Sequence, residues 1–273
     1  MDLIIQCSSG LVSVTGTEGG ELVKCGYSVA DVTSGMFAAI GILTALQARE
    51  RTGAGQFVDV AMLDGMISAM SVVFLNHIGG GPAARPMGTA YPNIVPYQVF
   101  PAKEESIGCA VGSEKLWSAF CRALGRQDLE KNPSFVSNAE RSKNRVALEK
   151  LLKDHFKQRP AKEWLDLLRA AGVPCSLVQT LDEVIDDPQT SARDIFPTVN
   201  HPTAGTGTVV GCPVKLSDTP GQVTRPAPLL GQHTKQVLNE LLKLNSSAVS
   251  RLIDSGVVFA SEPIPQNGHK LRT

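Results

Sequence analysis

Asp31-Val32-Thr33-Ser34-Gly35-Met36-Phe37-Ala38-Ala39-Ile40-Gly41-Ile42-Leu43-Thr44-Ala45-Leu46 follows a loop of small residues, Ser28-Val29-Ala30, and reads as the opening of a long, slim helix. Met36, Phe37, Ile40, Leu43 and Leu46 recur at three- and four-residue spacing, which predicts a helix over 32–51 with Gly53 as a left-handed C-cap. Gly35 and Gly41 each cost roughly 1 kcal/mol of helix propensity relative to Ala, so they point to close approach of another backbone or of a ligand. Asp31 belongs to the first turn. A carboxylate there faces unsatisfied backbone N–H groups and the positive end of the helix dipole, which favours the anion and fixes its direction. That suits a nucleophile, and it also suits an ordinary N-cap, for which Asp is a preferred residue.

Outward from this helix, Gln56-Phe57-Val58-Asp59-Val60 reads as a strand, and Met66, Ile67, Met70, Val73 and Phe74 mark a second helix over 63–75. Asp59 and Asp64 are read as turn formers or solvated positions, and the methionines as core filler. Gly79-Gly80-Gly81-Pro82 breaks the pattern. Its amides could cradle a phosphate, but no strand precedes it and no Lys-Ser/Thr follows, which favours a hinge. Further on, the spacing predicts a helix over 143–156, another opened by Pro160 and closed by Gly172 and Pro174, and a short helix started by a Thr180/Glu183 capping box. Thr208-Val209-Val210 and Pro213-Val214-Lys215-Leu216 read as strands, and the last helices carry Val237, Leu238 and Leu241, then Val249, Leu252 and Ile253.

Composition narrows the class. At 273 residues and 42% hydrophobic content the chain can bury a sizeable core. Lys plus Arg and Asp plus Glu balance at 26 each, so net charge gives no sign of a nucleic-acid or anionic-membrane partner. Cys7, Cys25, Cys109, Cys121, Cys175 and Cys212 lack a C-x-x-C pair, which fits buried thiols in a reducing compartment better than a disulfide framework or zinc site. The five histidines show no ligand spacing and imply no metal. No apolar run is read as long enough to span a membrane, and the first residues lack a signal-peptide pattern.

Several segments recur together in one order: Asp2-Leu3-Ile4-Ile5-Gln6, Ser9-Gly10-Leu11-Val12-Ser13-Val14-Thr15-Gly16, Asp31, Gly35, Arg49, Thr52-Gly53-Ala54-Gly55-Gln56 and Val58-Asp59-Val60. Ile94-Val95-Pro96-Tyr97-Gln98-Val99-Phe100, Ala171-Gly172-Val173-Pro174-Cys175, Asp187-Pro188-Gln189 and Pro228-Leu229-Leu230-Gly231-Gln232-His233-Thr234 continue the series. With these, the chain resembles a family III coenzyme A transferase from residue 1 to about residue 258, and within that family the branch acting on short dicarboxylic acids. Glu104-Glu105 departs from the Asp-Gly common in relatives.

The resemblance implies an α/β fold of the CoA-transferase family III type, truncated at the N-terminus, with a large-domain portion and a smaller α+β domain. On that basis residues 1–78 are a large-domain portion carrying the nucleophile and 79–96 a linker and active-site loop. Residues 97–190 form the small domain, 191–258 return to the large domain, and 259–273 are a disordered tail. The pattern is already under way at Met1, which by the resemblance implies that an upstream nucleotide-binding-like region supplying most coenzyme A contacts is missing, a segment that could have carried a targeting peptide with it. It implies transfer of coenzyme A from an acyl-CoA to a carboxylic acid, with Asp31 as covalent nucleophile and Gly35, Gly88 and Tyr91 as substrate- or coenzyme A-binding residues. No cofactor is permanently bound; the thioester is a substrate. A homodimer of interlocked chains in the cytoplasm or mitochondrial matrix is also implied, with no nucleic-acid or membrane partner. Two alternatives stand beside this: an α-methylacyl-CoA racemase or epimerase, whose second acid/base would be a histidine upstream, and an inactive fragment that only associates with partner chains.

Overall fold

Asp2–Ser8 forms helix α1 and Leu11–Val14 the single turn α2, in a computed structural model that describes residues 1–261. Helix α3 runs over Val29–Thr52, three residues earlier than the hydrophobic spacing predicts. The early start has a long-range cause. The Ala30 N–H, one of the amides a helix start leaves free, donates to Asp2 Oδ1 at 2.9 Å. Asp2 Oδ2 accepts from Gln6 Nε2 at 2.6 Å, and Gln6 Oε1 accepts from the Cys25 N–H at 2.9 Å. Ala30 and the Gln6 side chain are fully buried, so these bonds have no competition from water. At its far end α3 stops at Gly53, whose φ of 71° and N–H bond to the Arg49 carbonyl are the left-handed cap expected there.

Met62–Ala69 forms α4 and Ser71–Ile78 forms α5. The single helix expected over 63–75 is therefore interrupted at Met70, which ends one helix and begins the next while its side chain joins Ala30 and Met66 in a small core. Gly65 lets α4 lie close to α3, since a Cβ there would stand 3.4 Å from both the Phe37 ring and Ser34 Oγ. Residues 56–60 do not form the expected strand. Their alternation suits one, but no described strand lies alongside to take the backbone hydrogen bonds. The Gly79, Gly80 and Gly81 amides donate to the Leu75, His77 and Asn76 carbonyls. They finish α5, and so are not free to cradle a phosphate.

Helix α3 also corrects the reading that no apolar run could span a membrane. By length and composition it is long and apolar enough to do so. Its charges sit at the ends, at Asp31 and from Arg49 onward, and the small and hydroxyl residues between them do not interrupt the apolar stretch. Little of it is buried, and Met36, Ile40, Leu43 and Leu46 are exposed.

The larger core lies further along the same compact unit, which covers Met1–Val178. Strands β1 (Tyr97–Pro101), β2 (Ser106–Ala110) and β3 (Cys175–Leu177) form an antiparallel sheet in that order. Between β2 and β3 come α6 (Glu114–Ala123), α7 (Gln127–Glu130), α8 (Asn138–Lys143), α9 (Arg145–Phe156) and α10 (Ala161–Ala170). Phe100, Phe120 and Phe156 are completely buried. The Phe156 ring stacks on Phe100 at 4.8 Å, and its carbonyl accepts from Trp164 Nε1 at 2.9 Å. One charged side chain is buried among them: Arg141. It donates to the Val95 carbonyl at 2.6 Å, the Phe135 carbonyl at 3.1 Å and Glu114 at 2.8 Å, and lies 4.7 Å over the Trp117 ring. Each guanidinium nitrogen donates a hydrogen bond and one face lies on an aromatic ring, the kind of pairing its burial requires.

From Gln179 the chain forms a second unit. Its first helix, α11 (Leu181–Ile185), has the Thr180/Glu183 capping box read from the sequence, and α12 (Pro188–Ala192) is capped by Asp187 with Pro188 in its first turn. Strands β4 (Thr198–His201) and β5 (Gly205–Thr208) form a hairpin. Val209 and Val210 fall just past β5, and residues 213–216 are not a strand, their backbones having no pairing partner among the described residues. Helices α13 (Thr234–Glu240) and α14 (Ser246–Asp254) follow. Gly231, at φ 72°, is needed where it stands: a Cβ would come within 2.6 Å of the Phe259 ring. The tail expected over 259–273 lies outside the described residues from residue 262 onward.

These contacts make three stability predictions. Asp2→Ala removes the acceptor for the Ala30 amide and costs about 1–2 kcal/mol, whereas Asp31→Asn stays within about 0.5 kcal/mol of wild type; thermal melts together with amide exchange at Ala30 measure both. The hydrogen bond from Arg141 holds the Glu114 carboxyl below its ordinary value of 4.5, with help from the Asn138 N–H. The resulting stabilisation is complete above that ordinary value and is lost as pH falls through the lowered native one. Glu114→Gln therefore reduces the acid-side loss of melting temperature in a pH series.

Candidate functional site

Helix α3 begins at Val29 after the N-cap Ser28, so Asp31 is the third residue of its first turn. Ser28 makes no side-chain cap bond, and the cap acceptor is Asp2, from α1. Asp31 is thus not a capping residue. Its side chain is exposed and has no hydrogen bond or ion pair among the described residues. An acid held at the start of a helix, with its usual capping work done by another carboxylate, is sterically and electronically available to an incoming group. The Val29, Ala30 and Val32 amides are already bonded, to the Tyr27 carbonyl, Asp2 and the Ser28 carbonyl, so what acts on the Asp31 carboxylate is the positive end of the helix dipole.

Gly35 stands one turn further along the same helix, and a Cβ built on it would meet nothing within 4 Å. The close approach inferred for it from propensity is not made by any described residue. At Gly41 it is: a Cβ there would lie 3.0 Å from Val58. The open strip at Gly35 is on the turn that follows Asp31, where a side chain would otherwise stand.

Gly88 and Tyr91 lie on a different segment. Gly88 has a φ of 63°, which favours glycine, and its N–H donates to the Gly16 carbonyl at 2.7 Å. Nearby, Arg85 pairs with Glu18 at 2.6 Å. The Tyr91 N–H donates to the Tyr97 carbonyl at 2.9 Å, and the two rings stack at 5.2 Å. Arg145 donates to the carbonyls of Tyr91 and Pro92 at 2.8 and 2.7 Å. The segment is therefore fastened to the loop after α2 at one end and to α9 at the other. Among the described residues no hydrogen bond, ion pair or ring contact joins Asp31 to Gly88 or Tyr91; Asp31 and Gly35 share α3, and the other two stand on the loop that precedes β1.

A cleft of about 450 Å³ opens elsewhere, between α1–α2 and α4–α5, walled by Ser9, Ser13, Ile67, Met70, Phe74 and His77 among others. None of the four expected site residues lines it. Among the described residues no group of His, Cys, Asp and Glu could hold a metal ion. What sequence reasoning missed is the pair Asp2 and Gln6. Both stand in one of the quoted motifs, but nothing in a spacing of 28 residues indicates that one acid caps the helix carrying another.

The chain as a whole is similar to known proteins. CoA-transferase family III matches residues 1–234 of the chain. Succinyl-CoA:glutarate CoA-transferase of Mus musculus is 33% identical over 261 residues, covering 96% of this chain and 60% of the relative. Succinate–glutarate CoA-transferase of Agrobacterium fabrum is 32% identical over 251 residues, covering 90% and 62%. Among solved structures, a CAIB/BAIF family protein from Brucella suis superposes with a TM-score of 0.72 at 32% identity over 88% of this chain and 62% of that one. The chain spans about three fifths of the length of the curated relatives it matches. The mixed helix and strand architecture agrees with the fold of these neighbours, and on the match over residues 1–234 the chain belongs to CoA-transferase family III.

Proposed function

We propose that this chain carries the nucleophile of a CoA-transferase that moves coenzyme A from an acyl-CoA to a carboxylic acid, both short dicarboxylic species, through a covalent intermediate on Asp31. The observation that supports it most is the unengaged, exposed carboxylate of Asp31 at the start of α3, relieved of capping by Asp2. Two curated relatives bear names that pair succinyl-CoA or succinate with glutarate, which supports the substrate class.

The Asp31 carboxylate attacks the donor thioester carbonyl, breaking its C–S bond and giving a mixed anhydride and the coenzyme A thiolate. That thiolate attacks the aspartyl carbonyl, releasing the donor acid and leaving an aspartyl-CoA thioester. The acceptor carboxylate attacks this thioester to form a second anhydride, and the thiolate then attacks the acceptor acyl carbon, restoring Asp31. Each step exchanges one activated carboxyl for another, so no step carries a large free-energy drop, the ordinary advantage of covalent catalysis. A carboxylate is a weak nucleophile, so orientation and exclusion of water from the anhydride carry much of the rate. The open backbone at Gly35 leaves room for the thioester beside Asp31, and Gly88 and Tyr91 on their fastened loop are proposed to close on it. The exposed apolar length of α3 supports a second copy of the chain as its covering partner.

Incubation with succinyl-CoA and glutarate, quenched with hydroxylamine or borohydride and mapped by mass spectrometry, tests the reading. The expected outcome is an adduct at Asp31 and label exchange that falls about 10³-fold or more in Asp31→Asn. Exchange that persists in Asp31→Asn overturns the role of this residue. Solvent deuterium entering the acyl chain without an adduct makes the chain a racemase, and absence of both reactions overturns catalysis by this chain.

A further inference from the structure

Cys109 on β2 and Cys175 on β3 are directly opposed in the antiparallel register. The Ala110 N–H donates to the Pro174 carbonyl and the Val178 N–H to the Ser106 carbonyl, both at 3.0 Å, so the 110/174 and 106/178 pairs are the hydrogen-bonded ones. Pairs alternate along an antiparallel ladder, which makes Cys109/Cys175 a non-hydrogen-bonded pair, where Cα atoms stand about 4.5 Å apart and side chains approach most closely. That spacing lies inside the range of about 4.4–6.8 Å that a disulfide needs. Opposed residues point to the same face of the sheet; Cys109 is in the core, and Cys175 packs against it from a half-buried position. Both thiols are free.

We propose that Cys109 and Cys175 are an oxidisable thiol pair that closes to a cross-strand disulfide by exchange with a low-molecular-weight disulfide, RSSR. Cys175 reacts first because it is the accessible sulfur. Its thiolate attacks RSSR, breaking that S–S bond and releasing RS⁻, which takes up the proton lost from Cys175. The Cys109 thiolate then attacks the Cys175 sulfur of the mixed disulfide, forming the protein S–S bond and releasing a second RS⁻, which takes the Cys109 proton. Two protein thiols are oxidised and one external disulfide is reduced to two thiols. Burial pushes the Cys109 thiol well above its ordinary value, and the neighbouring Cys175 adds to this. Cys175 is raised by burial and lowered by Arg169. The second step is therefore the slower one, and its proximity is what makes it occur. The closed bond ties together the two ends of the 110–174 helical segment, where a cross-link restricts the unfolded chain strongly.

The test uses glutathione disulfide on the chain as it stands, followed by alkylation, proteolysis and mass spectrometry. The expected result is a linked peptide joining Cys109 to Cys175, loss of two of the six alkylatable thiols, and a melting temperature raised by several degrees that dithiothreitol reverses. Cys175→Ser, a change at a half-buried site, abolishes the link and the shift, while Cys25→Ser leaves both in place. Six alkylated thiols, a stable glutathione adduct at Cys175 with Cys109 still free, or a linked pair involving other cysteines would each overturn the proposal.

Discussion

One carboxylate sets up the N-terminal part of this protein. Asp2 accepts the buried Ala30 amide with one oxygen and the Gln6 side chain with the other, and Gln6 passes the network on to the Cys25 backbone. Without an acceptor there, a buried N–H would lose its bond to water with nothing in exchange, a penalty of about 1–3 kcal/mol. The network fixes where α3 begins, hence the turn on which Asp31 stands and the direction of the helix dipole behind it. It also explains how a residue type so well suited to capping can be left unengaged at a helix start. Of the two acids, one is engaged as the cap and the other is exposed and unengaged.

The N-terminal layer and the sheet-centred core solve burial in different ways. Around Arg141 the packing is closed: its charge is matched by Glu114, two carbonyls and the Trp117 face, and aromatic rings fill the space between sheet and helices. Around α3, among the described residues, the buried apolar cluster consists of Ala30, Met66 and Met70, while much of the helix is in the open. A helix apolar on most sides is ordinarily a buried one. The contrast between the two regions is therefore one of how many sides have a neighbour, not of sequence hydrophobicity.

Features governed by chemistry within a few residues were legible in the sequence. The Gly53 cap, the Thr180/Glu183 capping box and the helix opened by Pro160 all depend on a turn or less of chain. Features that need a distant partner were not. Residues 56–60 and 213–216 have strand-like patterns, yet a strand exists only when a second edge accepts its hydrogen bonds. The break at Met70 reflects a core demand on one side chain rather than any helix breaker. At the candidate site, that Asp31 and Gly35 share one helix was legible from local spacing. Asp2 as cap and the opposition of Cys109 to Cys175 are matters of tertiary register, which local spacing does not encode.

The segment bearing Gly88 and Tyr91 is held by the Gly16 carbonyl and Glu18 at one end and by the Arg145 guanidinium at the other. A strap fastened twice cannot flutter like a free loop on the nanosecond scale. To shift as a piece it must break short bonds or carry α9 with it, which puts its rearrangement among the collective motions of microseconds to milliseconds. Turnover that requires this strap to move would then be paced by the release of a buckle rather than by the reactivity of an acid.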